Sequence, residues 1–594
     1  MDQSAYSRFG RANHARRRLN LCLRPAPVYL PLLLALLAIA FVTSVDARAV
    51  SYASRDTPEL ASHEATVAVP RADNFVVGSI RGQPPTTRHF NFVVSQMNGS
   101  PDGFSKPMLV VNGLFPGPTI EANQGDRIVV HVTNTLSTRT TIHWHGLYQN
   151  STNYYDGTAG VTECGIPPGQ SLTYNFTVDD FSGTTWWHAR ALLDDTQYTD
   201  GVTGALIVHP RKYPRGFPTW DEDIVVELTD IYHAFSETIL SEYLGGGGGP
   251  LTGLQLETPD SGAINGIGQY NGSTKYTNLN LKPNKTYRLR LIHTGSAAAI
   301  RFSVDYHALT VIEADSTLTQ PYTVSSVTLA VAQRYSVLLT TNQHAEPARN
   351  YWMRAALKSA VAVPGANADI RGILRYGSGH AAPTAGADPG VPGSGLADLD
   401  VAKLVPAAPR TPPPATKAYT VDFSIGGKPD GGAFATMNGT SWQPLQGTTT
   451  LLQIVDAARN GSMYAPEGAS IQPGGQFLIT EDNIEVVDVL LVNTGPGDHP
   501  FHLHGHTPYI MGFGTGAYTG TGLNTVNPFM RDTFAVPGSG WLLMRIVTDN
   551  PGIWTLHCHI AWHMAAGLMM QISSLPSKAA QLDIPRDIVR QCSA

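Results

Sequence analysis

The sequence predicts an all-β protein made of three consecutive β-sandwich domains. The chain has 594 residues, whereas a single hydrophobic core stops growing near ~250–300 residues. Its 58 glycines and 42 prolines, with few long helical periodicities, are typical of turn-rich β structure. From about His89 onward, a pattern of strands also repeats three times along the chain.

The repeat is visible in the strands with which each copy begins. These are GDRIVVHVTNTL with TIHWHGL at 125–147, NKTYRLRLIHTGS with RFSVDYHALTVIEADS at 284–316, and NIEVVDVLLVNTG with HPFHLHGHTPYIMGF at 483–513. Turn residues separate the strands at the spacing of a β-sandwich. The first and third copies are rich in histidine, while the second has Tyr306-His307 and Tyr351-Trp352 where the others carry His-x-His pairs. We therefore expect a site shared by copies one and three, with copy two as a spacer and cleft wall.

The same observations divide the chain into segments. A polar, patternless stretch before the first copy predicts a loose leader, and a Pro- and Gly-rich stretch before the third copy predicts a linker. The predicted segments are a signal peptide at 1–47, the leader at 48–86, the three domains at 87–210, 211–375 and 417–594, and the linker at 376–416. A C-terminal tail ends the third domain.

The N-terminus has the order of a secretory signal. Arg11 and Arg16 to Arg18 precede an apolar run from Val28 to Val42, and this run is short for a membrane-spanning helix. A retained signal anchor is the alternative. Secretion also fits the Asn-x-Ser/Thr sequons, which lie at Asn98, Asn150, Asn175, Asn271, Asn284, Asn438 and Asn460. We therefore expect a secreted, extracellular glycoprotein.

Composition and charge narrow the function classes. The chain is 42% hydrophobic and 14% charged, which describes a globular protein. Its net charge of −6 gives no indication of binding to nucleic acid or to an anionic membrane. Since no second long apolar run follows the first, we expect no membrane association after signal cleavage.

The C-terminal stretch GIWTLHCHIAWHMAAGLMM carries the strongest metal-binding pattern. Its first part favours a strand, in which successive side chains point to opposite faces, so His557 and His559 face one way and Cys558 the other. A thiolate with two imidazoles is the ligand set of a trigonal blue-copper centre. Cys558, His563 and His499 supply this set if the segment HPFHLHGH adjoins the strand. One short strand would then serve two metal sites.

The axial position of this centre falls to residue 568. Leu568 cannot coordinate a metal, and copper without an axial sulfur ligand is the stronger oxidant. Met569 is one residue away and would point to the other face of an extended chain. The ordinary alternative is a buried cysteine among core histidines. That alternative fits lone residues better than seven histidines and a cysteine in two short runs.

Sorting the four cysteines leaves one possible disulfide. Cys22 leaves with the signal peptide, and Cys558 is assigned to copper. Cys164 and Cys592 are then the possible pair in an oxidising compartment. We expect them to link the first domain to the C-terminal tail.

Other histidines form pairs or near pairs along the chain: His143/His145, His188 with Arg190, His502/His504 and His557/His559. Strand alternation places both members of His-x-His on one face, where they can present two imidazoles to a metal group. Seven imidazoles exceed the need of one copper. We therefore expect a multinuclear centre near the blue copper, connected to it through Cys558 and its flanking histidines.

The motifs HWHG, WWHA, HPFHLHGH and HCHIAWHMAAGLM occur in the order and spacing of multicopper oxidases. From about residue 88 to the C-terminus the chain resembles this family and, within it, fungal laccases. The resemblance implies cupredoxin-like Greek-key topology for the three sandwiches. It also implies four copper ions: type 1 on His499, Cys558 and His563, type 2 on His143 and His502, and a type 3 pair on His145, His188, His504, His557 and His559.

The reaction implied by the resemblance is an oxidase reaction. A small phenolic or amine reductant loses one electron at a time at the type 1 copper, and dioxygen is reduced to water at the trinuclear copper cluster. No further partner is expected beyond the reductant and dioxygen.

One residue departs from the family pattern. The second motif contains His188-Ala189-Arg190 where His-x-His is usual, and the following ALLDD is longer than usual. Arginine stays protonated and has no lone pair to offer a metal. The eighth trinuclear ligand is therefore missing, and fewer than four copper ions are expected if the substitution is real. A misplaced splice junction is the alternative explanation.

Two aspartates match acids of the family. The resemblance places Asp156, in YYDG, beside the trinuclear cluster as a proton relay. It places Asp230, in ELTDIYH, at the type 1 pocket as the acceptor of a phenolic proton. For both, an aspartate that caps a turn is the ordinary alternative. A further acid, usual in the HCHI-x-W motif, is replaced by Ala561.

Three functions remain open on the sequence. Asp230, Leu568 and a soluble secreted chain favour a laccase that oxidises phenols and aromatic amines. A ferroxidase would usually carry more acidic residues at the type 1 face and often a C-terminal anchor. A copper-binding protein with impaired oxidase activity follows if Arg190 disables the cluster.

Overall fold

The computed structural model describes residues 66–593 except 191–195, 246–255, 347, 359–364, 378, 385 and 430. The predicted signal peptide and the first part of the predicted leader lie outside the described residues. Within the described part of the chain, no helix combines the length and apolarity needed to cross a membrane.

The first domain packs two four-stranded sheets around an apolar core. A short strand of the leader, β1 (Val76–Val77), precedes this domain. The eight strands of the domain are β2 (Thr87–Gly99), β3 (Lys106–Val111), β4 (Ile120–Asn123), β5 (Arg127–Asn134), β6 (His143–Trp144), β7 (Ser171–Thr177), β8 (Gly183–His188) and β9 (Thr203–His209). The sheet orders are β3-β2-β5-β7 and β4-β9-β8-β6. Burial alternates along β5, as expected for a strand with one solvent face. Every residue of β8, including His188 at its end, is buried, so this strand lies in the interior on both faces.

The second domain has a larger and a smaller sheet. Its strands are β10 (Glu222–Ile231), β11 (Ser261–Ile264), β12 (Ile267–Gly268), β13 (Thr277–Asn280), β14 (Thr286–His293), β15 (Ala299–Val304), β16 (Leu309–Ala314), β17 (Thr317–Val324), β18 (Val327–Leu329), β19 (Arg334–Thr340), β20 (Asn350–Lys358) and β21 (Asp369–Arg375). One sheet runs β12-β11-β10-β14-β19-β16-β17, with β1 added against β10, and the other runs β13-β21-β20-β15-β18.

The third domain packs two six-stranded sheets. Its strands are β22 (Lys417–Gly427), β23 (Ala433–Met437), β24 (Gly468–Gln472), β25 (Gln476–Glu481), β26 (Val486–Asn493), β27 (His499–Leu503), β28 (Tyr509–Thr515), β29 (Phe529–Met530), β30 (Thr533–Val536), β31 (Gly540–Val547), β32 (Gly552–Cys558) and β33 (Met569–Ser574). The sheet orders are β23-β22-β26-β31-β28-β29 and β24-β25-β33-β32-β27-β30. The prediction of three β-sandwiches is confirmed.

Helices are short and lie between strands or in the tail. The α-helices are α1 (Ser236–Gly245), α2 (Thr450–Arg459), α3 (Ala561–Ala565), α4 (Pro576–Ala579) and α5 (Arg586–Gln591). Helical 3₁₀ turns lie at Ala72–Phe75, Asn153–Tyr155 and Val401–Lys403. The tail reaches the first domain, where Cys592 forms a disulfide with Cys164. The predicted disulfide is therefore present.

The leader and the linker are more ordered than the sequence suggested. In the leader, Val76–Val77 pairs with the first part of β10, where β11 does not extend and backbone groups are free to pair. In the linker, Asp388 accepts hydrogen bonds from Arg301 and Ser303 of the second domain. From residue 66 onward the leader is thus packed rather than loose, and the linker follows the surface of the second domain.

Candidate metal centres

The first centre is formed where β27, β32 and α3 meet. Strand pairing between β27 and β32 sets His499 beside Cys558, and α3 returns His563 to the same place. Cys558 Sγ lies 3.7 Å from His499 Nδ1 and 3.6 Å from His563 Nδ1, and the two nitrogens are 3.1 Å apart. A point equidistant from these three atoms is about 2 Å from each, the length of a metal–imidazole bond. The buried trio is therefore spaced to hold one small metal ion.

Electrostatics differ between the two histidines of this trio. Burial, followed by the charge of His563, lowers the pKa of His499 to about 3. Burial alone would also lower the pKa of His563, but the Glu257 carboxylate 3.1 Å from its Nε2 raises that pKa to about 10. His563 Nε2–H donates to Glu257, and Nδ1 on the other side of the ring faces Cys558 and His499, where it would be the ligand atom for a metal.

Residues 568 and 569 point to opposite sides of the chain, as alternation predicts. Leu568 is fully buried in the apolar cluster that also contains Cys558, and its carbonyl accepts the Cys558 N–H at 3.1 Å. Met569 instead lies at the histidine cluster, where its Sδ is 3.3 Å from Arg190 Nη2.

The second group of histidines meets between the first and third domains. His145 stacks on His502 with ring centroids 3.7 Å apart, and His143 stacks on His504 at 4.0 Å. Five rings have a buried nitrogen without a hydrogen-bond partner among the described residues; these are Nε2 of His143, His188, His502 and His559, and Nδ1 of His145. Buried nitrogens without a hydrogen-bond partner are what a cluster of metal ligands presents.

These imidazoles are held neutral. Burial, then the charges of neighbouring histidines, keeps the pKa values of His145 and His188 well below the usual range. Opposite ring nitrogens are fixed by protein carbonyls: His143 Nδ1 donates to Asp156 O at 2.6 Å and His502 Nδ1 to Asp532 O at 2.9 Å. A ring whose outer nitrogen donates its proton in this way presents its other nitrogen inward. The cluster therefore fits copper, which imidazole ligands suit.

Comparison with known proteins decides the family. Models of the multicopper oxidase family match residues 93–213, 222–379 and 445–578, which together exceed half of the chain. The chain belongs to the multicopper oxidases. It is therefore a copper-dependent oxidoreductase, and its family implies copper of types 1, 2 and 3.

Laccases and another multicopper oxidase are among the proteins that this chain resembles. The chain is 36% identical to laccase-2 of Agaricus bisporus, over 82% of this chain and 90% of the laccase. The crystal structure of the laccase from Botrytis aclada is 33% identical, covers 86% of this chain and 92% of its own, and superposes with a TM-score of 0.73. Fet3p, a multicopper oxidase that functions in iron import, is 26% identical, with coverage of 85% and 94% and a TM-score of 0.73.

Asp156 lies against two histidines of the cluster in this oxidase. Its Oδ2 is 2.8 Å from His504 Nδ1 and accepts the Thr158 hydroxyl at 2.9 Å. The residue is 1% exposed. Asp156 thus orients two histidines of the cluster, His504 through its carboxylate and His143 through its carbonyl.

Two polar residues of the cluster were missed by sequence reasoning. The Asp532 carboxylate lies 3.2 Å from His145 Nε2. Arg334 of the second domain binds the same carboxylate at 2.7 and 2.6 Å, and this cation holds the pKa of Asp532 well below its usual range although burial alone would raise it. The second domain is therefore more than a spacer between the first and third domains, because its Arg334 holds the carboxylate that contacts His145. The sequence around Asp532, Arg531-Asp532-Thr533, gave no indication of this contact, since an adjacent Arg-Asp pair is common in proteins.

Asp230 does not itself line the cavity beside His499 and His563, but lies behind Ala297 and Ala298, which do. Its carboxylate accepts three backbone N–H groups, from Ser296 at 2.7 Å, Ala297 at 2.8 Å and Ala298 at 3.0 Å. This is the ordinary capping role that the sequence left open. The motif match was correct in position, but burial under this turn occupies the acceptor atoms.

A cavity of about 860 Å³ opens onto the two histidines of the first centre. His499 and His563 line it together with many apolar side chains, including Ala297, Val331, Leu399, Ile510, Phe513 and Phe529. Glu257 and Asp498 contribute carboxylates. Glu257 is fixed there by the Tyr243 hydroxyl, which donates to it at 2.7 Å. Sequence reasoning missed Glu257, because nothing near it repeats a metal-site motif.

Arg190 lies inside the histidine cluster and is 2% exposed. Its Nη1 is 2.8 Å from His504 Nε2 and 2.8 Å from His557 Nε2. Its backbone is held by Thr141, whose Oγ1 accepts the Arg190 N–H at 3.1 Å. The arginine that replaces the usual histidine of the second motif therefore lies among the histidines of the cluster.

Proposed function

We propose that this multicopper oxidase is a secreted laccase-type enzyme that oxidises phenols and aromatic amines and reduces dioxygen. The observation that carries the proposal is the mainly apolar cavity ending on His499 and His563. An aromatic ring can be buried in such a cavity, while a strongly hydrated metal ion gains little from it.

The proposed copper ligands follow the predicted pattern. His499, Cys558 and His563 hold type 1 copper, and His143 and His502 hold type 2. The ligands of the type 3 site are His145, His188 and His559, with His504 and His557 beside Arg190. When bound, copper supplies one-electron redox chemistry at the first centre and dioxygen reduction at the second.

The protein's own groups then have distinct roles. Glu257 accepts a hydrogen bond from the hydroxyl or amine of the reductant and orients His563. Cys558 is bonded in sequence to His557 and His559, so the backbone of one strand connects the two centres. Asp156 lies beside the cluster, where its carboxylate can exchange protons with reduced oxygen.

Ferroxidase activity is the second candidate. It is favoured by the carboxylates of Glu257 and Asp498 at the cavity and by the likeness to Fet3p. Carboxylates are the ligands that a hard cation requires. Because the cavity has only these two acids named among mainly apolar side chains, it suits a phenol better than a ferrous ion.

Secretion is supported by the positions of the sequons. All seven asparagines lie at the surface: Asn175 and Asn438 are half-buried, and the exposed ones are Asn98, Asn150, Asn271, Asn284 and Asn460. Each is thus accessible to glycosylation. The disulfide also fits an oxidising compartment.

Oxygen uptake tests the proposed function. The copper-loaded full chain should consume dioxygen when given a phenol, and far less when given ferrous iron. Cys558→Ser, which removes the thiolate ligand, should abolish phenol-dependent uptake. Oxygen uptake with ferrous iron but not with the phenol would establish ferroxidase activity. No oxygen uptake with either donor would mean that the chain is a copper-binding protein without oxidase activity.

A further inference from the structure

The position of Arg190 bears on how many metal ions the cluster holds. His504 Nε2 and His557 Nε2 are 3.2 Å apart, and Arg190 Nη1 lies 2.8 Å from each. Because Nη1 is hydrogen-bonded to both nitrogens, an ion about 2 Å from each would lie roughly 1 Å from Nη1. The guanidinium and a metal ion therefore exclude each other at this position.

Both histidines are in the tautomer that directs an unprotonated nitrogen at the arginine, as it would be directed at a metal ion. His504 carries its proton on Nδ1, which faces the Asp156 carboxylate at 2.8 Å. His557 carries its proton on Nδ1, which faces the Cys558 carbonyl at 2.8 Å. Both Nε2 lone pairs therefore point at Arg190, whose terminal nitrogen has two protons to donate. The same lone pairs would otherwise bind an ion.

The rest of the cluster keeps its capacity for metal. Nitrogens of His143, His145, His188, His502 and His559 make no hydrogen bond to this arginine and remain without partners among the described residues. One group of three among them, His143/His145/His188, is close enough to share an ion, and His502 and His559 add further nitrogens without partners. The first centre, with Cys558, is separate from Arg190.

We propose that the Arg190 guanidinium takes the place of one ion of the type 3 pair, so that the cluster holds two copper ions beside a fixed cation. The chain then carries about three coppers instead of about four. This inference rests on the proposed assignment of the cluster. A copper count tests it separately from turnover.

The experiment is a copper count on the full chain. Wild type, Arg190→His, Arg190→Gln and Arg211→His are saturated with copper, freed of excess ion and analysed by atomic absorption. Arg211 is the matched control, because its side chain is 63% exposed at the protein surface. We expect about three coppers in wild type and in Arg211→His, and about four in Arg190→His.

Arg190→Gln separates the two effects of the arginine. It removes the cation but adds no imidazole, so it should bind a fourth ion only weakly, at high copper. Retained blue absorption and an unchanged unfolding temperature verify folding of each variant. About four coppers in wild type, or no gain in a folded Arg190→His, would overturn the proposal. If the wild type binds about three coppers but shows no phenol-dependent oxygen uptake, the proposed function fails and this inference stands.

Discussion

At the scale of single residues, alternation along β32 and β33 separates the two centres. Cys558 and Leu568 lie in the apolar cluster of the type 1 side, while His557 and Met569 meet Arg190 on the other. A one-residue shift would exchange the two sets. The register His557↔Met569 of the strand pair therefore decides which residue can be axial to copper.

The first prediction concerns Leu568. Leu568→Met should lower the reduction potential of the type 1 copper, because a weak axial sulfur stabilises the oxidised ion. The blue absorption should persist, since Cys558 and both histidines are untouched. Redox titration of that absorption measures the shift. An unchanged potential would mean that another residue occupies the axial position.

The second prediction concerns Glu257. Glu257→Gln removes a charged hydrogen-bond acceptor, which contributes about 1.5–3 kcal/mol. The kcat/KM for phenols should fall roughly 10- to 100-fold. The loss should be much smaller for a reductant without hydroxyl or amine protons. Steady-state kinetics with both donors provide the measurement.

Asp230→Asn is the matched control for Glu257. Its carboxylate bonds only to backbone groups of the 296–298 turn in the contacts described. The substitution should therefore lower stability by about 1–3 kcal/mol and affect both donors alike. A loss confined to phenols in Asp230→Asn, with none in Glu257→Gln, would return the substrate-binding role to Asp230.

At the scale of elements, the C-terminal tail stabilises the first domain. Ile588 of α5 belongs to the apolar core of that domain. Arg139 donates to the Gln591 carbonyl at 3.0 Å, next to the disulfide. The tail thus joins the two domains that share the histidine cluster.

The third prediction concerns the disulfide. Cys164 and Cys592 are 428 residues apart. A bridge closing so long a loop stabilises by up to about 5 kcal/mol in the entropic model. Cys592→Ser should therefore lower the free energy of unfolding by several kcal/mol, measured in denaturant. Reducing agent should destabilise wild type but not the variant; equal sensitivity would contradict the assignment.

Much of the site could be predicted from sequence, because strand periodicity and motif spacing are local. His557, Cys558 and His559 needed only alternation. Asp532, Arg334 and Glu257 could not be predicted in the same way, since each acts through a contact made by a distant element. Asp230 shows the converse, as a motif gives a position but not the partners of the side chain there. Arg190 was recognised as a departure, but only packing shows that it enters the cluster.

At the scale of the whole molecule, all three domains contribute to the histidine cluster. The first and third supply the imidazoles, and the second supplies Arg334, which binds Asp532. Such a buried ion pair between domains favours one arrangement, because separating the charges leaves each unpaired. Domain packing therefore places the cluster beside the Cys558 strand, and electrons from a reductant have a short route to dioxygen.

The measurement that tests this account most directly is the return of the blue colour. A phenol added without oxygen should bleach the absorption of the Cys558 centre, and admitted oxygen should restore it. Restoration should be slower than bleaching in wild type and faster in Arg190→His, because the arginine limits the cluster. Blue absorption that bleaches but never returns would contradict the proposed transfer of electrons from the type 1 centre to dioxygen.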